Sequence, residues 1–278
     1  MRTKFELKTL DQILLMRKAG LVTRAALDAV RNAIKPGITT LDLDQIAEST
    51  IRSMGGRPNF QLVPGYFHTI CASVNSEVVH GIPSTRELHP GDLISIDCGA
   101  EVEGWNGDSA FSMVVPGGDQ AVSARRQKQS EVCEGSLWAG IAALASASHL
   151  GDVGAAIERH IVAQGKYGIL QQYVGHGIGR SMHEDPPVFN YATRDKGAKV
   201  EPGLCVAIEP MITSGKQATY IHQDDWTVLT KDGGDGAHWE HSVAVLEDGV
   251  FVLTEPDGGK ARLAGFGVEI SQKLALAH

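Results

Sequence analysis

The stretches ELHPGDLISID at residues 87–97 and KVEPGLCVAIE at residues 199–209 follow one pattern. Pro90-Gly91 is followed by five residues and Asp97; Pro202-Gly203 is followed by five residues and Glu209. A Pro-Gly pair marks a turn, and the short apolar run after it reads as a strand. Each stretch is therefore a turn feeding a strand that ends on a carboxylate. The surroundings match as well. His80 in VVHGIP precedes the first stretch and His176 in VGHGIG the second, each beside a glycine. A further acid heads another apolar strand after each: Asp108 before SAFSMVV and Glu240 before HSVAVL.

One acid at a strand end needs no explanation, because strand ends face solvent. Two units with the same order and spacing point to an internal duplication. The helices agree. Apolar residues at helical spacing run from about Leu10 to Ile34, with Thr9 and Gln12 forming a capping box and Pro36-Gly37 the stop. Thr39 or Thr40 caps a second helix that runs to about Met54. A long helix at about 119–147 and a shorter one at about 153–164 repeat the layout. The expected fold is α+β: two helix-and-hairpin halves, about 8–116 and 117–253, related by a pseudo-twofold axis with antiparallel sheets inside and helices outside. All 278 residues are assigned to one catalytic domain, with 258–278 as a loosely attached tail.

Composition narrows the function. Hydrophobic residues make up 42% and charged ones 21%, the balance of a globular chain with a core. A net charge of -8 without a dense run of Lys or Arg argues against nucleic acid and anionic membranes as partners. The start, MRTKFELKTL, lacks a secretory pattern, and no apolar run reaches membrane-spanning length. Cys71, Cys98, Cys133 and Cys205 are widely spaced and read as reduced thiols, so a cytoplasmic location is expected.

Inward-facing carboxylates repel one another and lose water, so they need a counter-charge. The strand segments 93–97, 109–115, 204–208 and 242–246 contain neither Lys nor Arg. A divalent metal is the natural partner, and hard oxygen donors with an imidazole suit Mn, Fe, Co or Zn. The candidate ligands are Asp97, Asp108, His176, Glu209 and Glu240. That set exceeds the needs of one ion and suggests a pair, as in two-metal hydrolases.

The segments VNSEVVHGIP, IDCGAEVEGWNGDSA, GHGIGRSMHEDP, IEPM and WEHSVAV together resemble methionine aminopeptidases of type I, metallopeptidases of the "pita-bread" fold. The resemblance runs from about residue 8 to 253. It implies removal of the initiator methionine from new chains whose second residue is small, by water activated at two divalent ions. It implies Asp97 as the chelating ligand of one ion, Asp108 and Glu240 as bridges, and His176 and Glu209 on the other ion. Glu209 also moves the proton of the attacking water, while His80 and His183 contact substrate near the scissile bond. The methionine pocket corresponds to Phe60, Val63, Tyr66, Cys71, Met182 and Trp226, with Val63 and Met182 where aromatic residues are more usual. The implied partners are nascent N-termini, met at the ribosome by a monomer.

Simpler readings exist for the remaining groups. His149, His160, His222 and His238 lie outside the repeated units and read as ordinary surface or packed residues. Asn106-Gly107 reads as the turn of the hairpin joining Asp97 to Asp108. Two other functions are weighed: a proline-directed aminopeptidase of the same fold, and a non-catalytic binding module. The module is disfavoured because nothing maintains costly inward acids without an ion.

Overall fold

A computed structural model describes residues 5–275; the opening MRTK and closing LAH, on which part of the leader and tail readings fell, lie outside the described residues. Helix α1, Leu10–Ala33, starts at the expected box: Thr9 accepts the Gln12 N–H and the Gln12 side chain accepts the Thr9 N–H. Helix α2, Thr40–Ser53, takes Thr39 as its cap with Asp42 reciprocating. In the second half α3, Gln120–Leu144, and α4, Gly151–Gln164, repeat the long-short order.

Each helix pair packs mainly against strands of its own half, although Ile13 and Met16 of α1 join the second core. Val22, Ala26, Leu43 and Ile51 pack with Ile70, Ile94, Ile96 and Phe111. Leu137, Ile141, Val153 and Ile157 pack with Val206, Ile208, Val243 and Val252. One antiparallel sheet of nine strands contributes to both cores. Its main path is Arg57–Pro58, Leu93–Val102, Trp105–Val114, Glu240–Leu246, Cys205–Ile208, Gly175–Gly177 and Glu184–Val188. Ile70–Val74 also pairs with Leu93–Val102, and Gly249–Val252 with Glu240–Leu246. The halves are joined where Glu240 registers with Ala110 and His241 with Ser109.

Two expectations are corrected. The hairpin between Asp97 and Asp108 turns at Glu103-Gly104, both at positive φ, and not at Asn106-Gly107. Asn106 and Gly107 continue the strand, paired with Glu101 and Ala100. Helix packing decides this: a Cβ on Gly107 would stand 2.6 Å from the Gly20 nitrogen of α1, so glycine serves close approach here. The Asn106 amide donates to the carbonyls of Gly179 and Arg180, a partnership a turn tip lacks. The segment after residue 258 is also packed, not loose. Helices α5, Lys260–Ala264, and α6, Gln272–Ala275, bury Leu263 and Leu274 in the second core, and Asp248 accepts the Gln272 N–H at the start of α6.

Candidate active site

The sheet pleat gathers the acids. Residues directly opposite on neighbouring strands share a face, and so do residues two apart on one strand. Asp97 is opposite Ala110, and Ala110 is opposite Glu240. Asp108 lies two residues from Ala110 and joins that face. On the next strand His241 is opposite Ile208, which brings Glu209, the following residue, beside Glu240. His176 is opposite Ala207, two residues before Glu209. All five predicted ligands thus project from one face, across five adjoining strands, with the methyl groups of Ala110 and Ala207 leaving room between them.

The site opens into a cavity of about 160 Å³ lined by Asp97, Asp108, His176, Glu209 and Glu240, together with His80, His183, Phe60, Val63, Tyr66, Cys71, Met182 and Trp226. Every predicted site residue is in that lining. The volume far exceeds the roughly 10–15 Å³ that one water needs. One wall is polar. Another part of the lining is an aromatic cluster in which Tyr66 meets Trp226 edge-on at 5.0 Å between centroids and Phe60 at 6.3 Å. Asp44 of α2 holds the loop that carries this wall, accepting the N–H groups of Thr69 and Ile70, while the Tyr66 hydroxyl donates to the Ile70 carbonyl.

The histidines take different positions. His80 has φ of 59°, a left-handed conformation uncommon for a non-glycine residue and a mark of functional constraint. Its ring packs edge-on against Tyr173 and Trp226. His183 is exposed at the mouth, its ring 4.3 Å from that of buried His176. The His176 Nδ1 faces the Gly177 carbonyl at 2.9 Å, which directs Nε2 toward Glu209 Oε1, 3.5 Å away.

Electrostatics test whether a metal fits. No lysine or arginine lines the cavity. Burial pushes the Asp97 carboxyl up to about 7 and Glu209 to about 8; Asp108 and Glu240 rise well above the carboxylate range through burial, with neighbouring carboxylates adding to it. Burial also pulls His80 down to about 4 and His176 to about 3, so these rings are neutral donors of a lone pair. Asp97 Oδ1, Asp108 Oδ1 and Glu240 Oε1 are buried with no hydrogen-bond partner. Unpartnered buried oxygens in such number need an explanation, and a cation among them supplies one. Donor atoms of Asp108, His176 and Glu240 lie within 4.8 Å of one another, as do those of Glu209, His238 and Glu240.

His238 is the residue that the sequence reading set aside. It is buried, but its ring faces the acids and not a packed core. The signal was its position two before Glu240 on extended chain, which puts both on one face.

The buried carboxylate and imidazole cluster, on a face built by two similar halves, is the apparatus of a metallopeptidase, and the chain belongs to metallopeptidase family M24, whose profile matches residues 14–247. Within that family it falls among the methionine aminopeptidases. It is 48% identical to methionine aminopeptidase 1 of Mycobacterium tuberculosis, over 86% of this chain and 91% of that protein. It is 40% identical to methionine aminopeptidase 1 of Bacillus subtilis, over 89% and 98%. The crystal structure of methionine aminopeptidase from Thermotoga maritima superposes with a TM-score of 0.86 at 35% identity, over 91% of this chain and all of that one. The α+β, pita-bread architecture expected from the motifs is therefore the fold of this chain.

Proposed function

We propose that this site removes an N-terminal methionine from polypeptides by metal-assisted hydrolysis, acting as one domain on nascent chains in the cytoplasm as a monomer that meets them at the ribosome. The observation that carries this reading is the shared cavity, which is lined both by the ligand cluster and by an aromatic pocket. An apolar pocket beside a hydrolytic centre suits the unbranched, polarisable side chain of methionine. Similarity to proteins named methionine aminopeptidase supports the same substrate.

Asp97, Asp108, His176, Glu209 and Glu240 would hold two divalent ions, with Co, Mn, Fe and Zn all suited to the donor set. Bound divalent ions supply Lewis-acid charge that activates water and polarises a carbonyl. The chain's own groups do the rest. Phe60, Tyr66 and Trp226 seat the methionine side chain and exclude water from around it. His183 and His80, both in the cavity lining, would hydrogen-bond the peptide on either side of the scissile bond. The Glu209 carboxylate accepts the proton of the attacking water and delivers it to the departing amide nitrogen.

The test compares hydrolysis of a Met-Ala peptide with that of an Xaa-Pro peptide, with chelator and after restoring each metal. Met-Ala cleavage that stops with chelator and returns with metal is expected. Chelator-insensitive cleavage, or preference for the Xaa-Pro peptide, overturns the reading.

A further inference from the structure

The Nε2 atom of His238 is buried and has no hydrogen-bond partner. It lies 3.5 Å from Glu209 Oε2 and 3.9 Å from Glu240 Oε2. Both distances exceed the roughly 2.7–3.2 Å of an N–H···O hydrogen bond. The 3.5 Å separation from Glu209 suits a shared ion instead: two donors each about 2.0–2.2 Å from one metal, at a tetrahedral angle, stand about 3.3–3.6 Å apart. The backbone at this position is fixed, since the Ser112 hydroxyl accepts the His238 N–H at 2.8 Å and donates to its carbonyl at 2.8 Å. The ring therefore projects from a clamped backbone, not from a mobile loop.

The clustered donors fall into two sets that share Glu240: Asp108 and His176 with it on one side, Glu209 and His238 with it on the other. Glu209 lies between the two rings, with one oxygen 3.5 Å from His176 Nε2 and the other 3.5 Å from His238 Nε2. We propose that His238 is a metal ligand, joining Glu209 and Glu240 as a second imidazole donor of the centre beside His176. This rests on the reading that the cluster is a two-ion centre. A second imidazole favours borderline ions such as Zn and Co over Mn, which prefers oxygen.

The test uses the full chain loaded with two equivalents of Co(II) or Zn(II). X-ray absorption at the metal edge should show on average one imidazole per ion in the wild type and about half that in His238→Gln. In calorimetry the second equivalent should bind about 10–100-fold more weakly to His238→Gln, the range seen when a metal site loses a supporting group, while the first is nearly unaffected. One imidazole per two ions in the wild type, or unchanged affinity and imidazole count in a folded His238→Gln, would overturn the proposal. If His238→Gln does not fold, the wild-type imidazole count decides alone. Asp108→Asn separates the two levels. If it loses ion binding while His238→Gln keeps both ions at full affinity, only the His238 assignment fails; if it binds both ions as tightly as the wild type, the two-ion reading fails.

Discussion

Stripping the metal should make the stability of this protein fall as pH rises through neutrality. Asp97 is held up at about 7 and Glu209 at about 8, and Asp108 and Glu240 lie well above their ordinary range, all chiefly through burial. In the unfolded chain the same groups titrate near pH 4. At pH 7 the stripped native state thus holds protons that the unfolded state has released. A raised folded-state pKa gives stability that is present at low pH and lost as pH climbs through the folded value. The histidines of the site act the other way, but only below their unfolded value of about 6.5, because desolvation lowers the folded-state values of His80, His176, His183 and His238. Above about pH 7 they are neutral in both states, so the carboxyl effect stands alone.

One retained proton costs about 1.4 kcal/mol per pH unit, or about 2 kcal/mol between pH 7 and 8.5. For a domain of this size that lowers Tm by about 4–8 °C, a lower bound because Asp108 and Glu240 hold protons as well. Differential scanning calorimetry of chelator-treated and metal-loaded protein in matched buffers measures it. Bound ions replace those protons, so the loaded protein should lack this slope and the gap between the curves should widen with pH. A stripped-protein Tm that is flat or rising from pH 7 to 8.5, or a loaded protein that falls in parallel, would refute the account.

Two substitutions test the walls of the site. Trp226→Ala removes the ring that meets Tyr66 and His80, so kcat/KM for a Met-Ala peptide should fall about 10–200-fold. Titrated metal affinity should stay unchanged, and a parallel loss of binding would show that Trp226 supports the ion cluster rather than the pocket. Gly177→Ala places a Cβ against the Asp185 carbonyl oxygen on the neighbouring strand, and the urea midpoint should drop by the equivalent of about 1–3 kcal/mol. An unchanged midpoint would mean that the backbone next to His176 is not closely packed.

What was legible in the sequence is what obeys a short-range period. The Pro-Gly turns, the five-residue strand segments and the terminal acids repeat at fixed spacing, and the helix caps at Thr9 and Thr39 are local hydrogen-bond patterns. The misread features depend on distant partners. Asn106-Gly107 is a strong turn signal in isolation, and it is overridden because the backbone of α1 lies against Gly107. The segment after residue 258 has no helical stripe long enough to read, yet Leu263, Ile270 and Leu274 each fill a place in the second core.

His238 was missed for a different reason, and the same reason explains how the site is built. Strand alternation places residues 238 and 240 on one side and 239 and 241 on the other. Trp239 accordingly turns to Phe111 and donates to the Ser130 hydroxyl, and His241 turns to Ser109 and Thr254. Two histidines in HWEH thus project to opposite sides of one extended segment, and only the parity of their distance from Glu240 tells them apart. Asp97, Asp108 and Glu240 obey the same parity around Ala110, and His176 and Glu209 around Ala207. A larger residue at Ala110 or Ala207 would occupy the space in which the carboxylates and imidazoles converge. The centre therefore depends as much on two alanines as on the acids, and alanine in a strand leaves no chemical signal for a sequence reader to find.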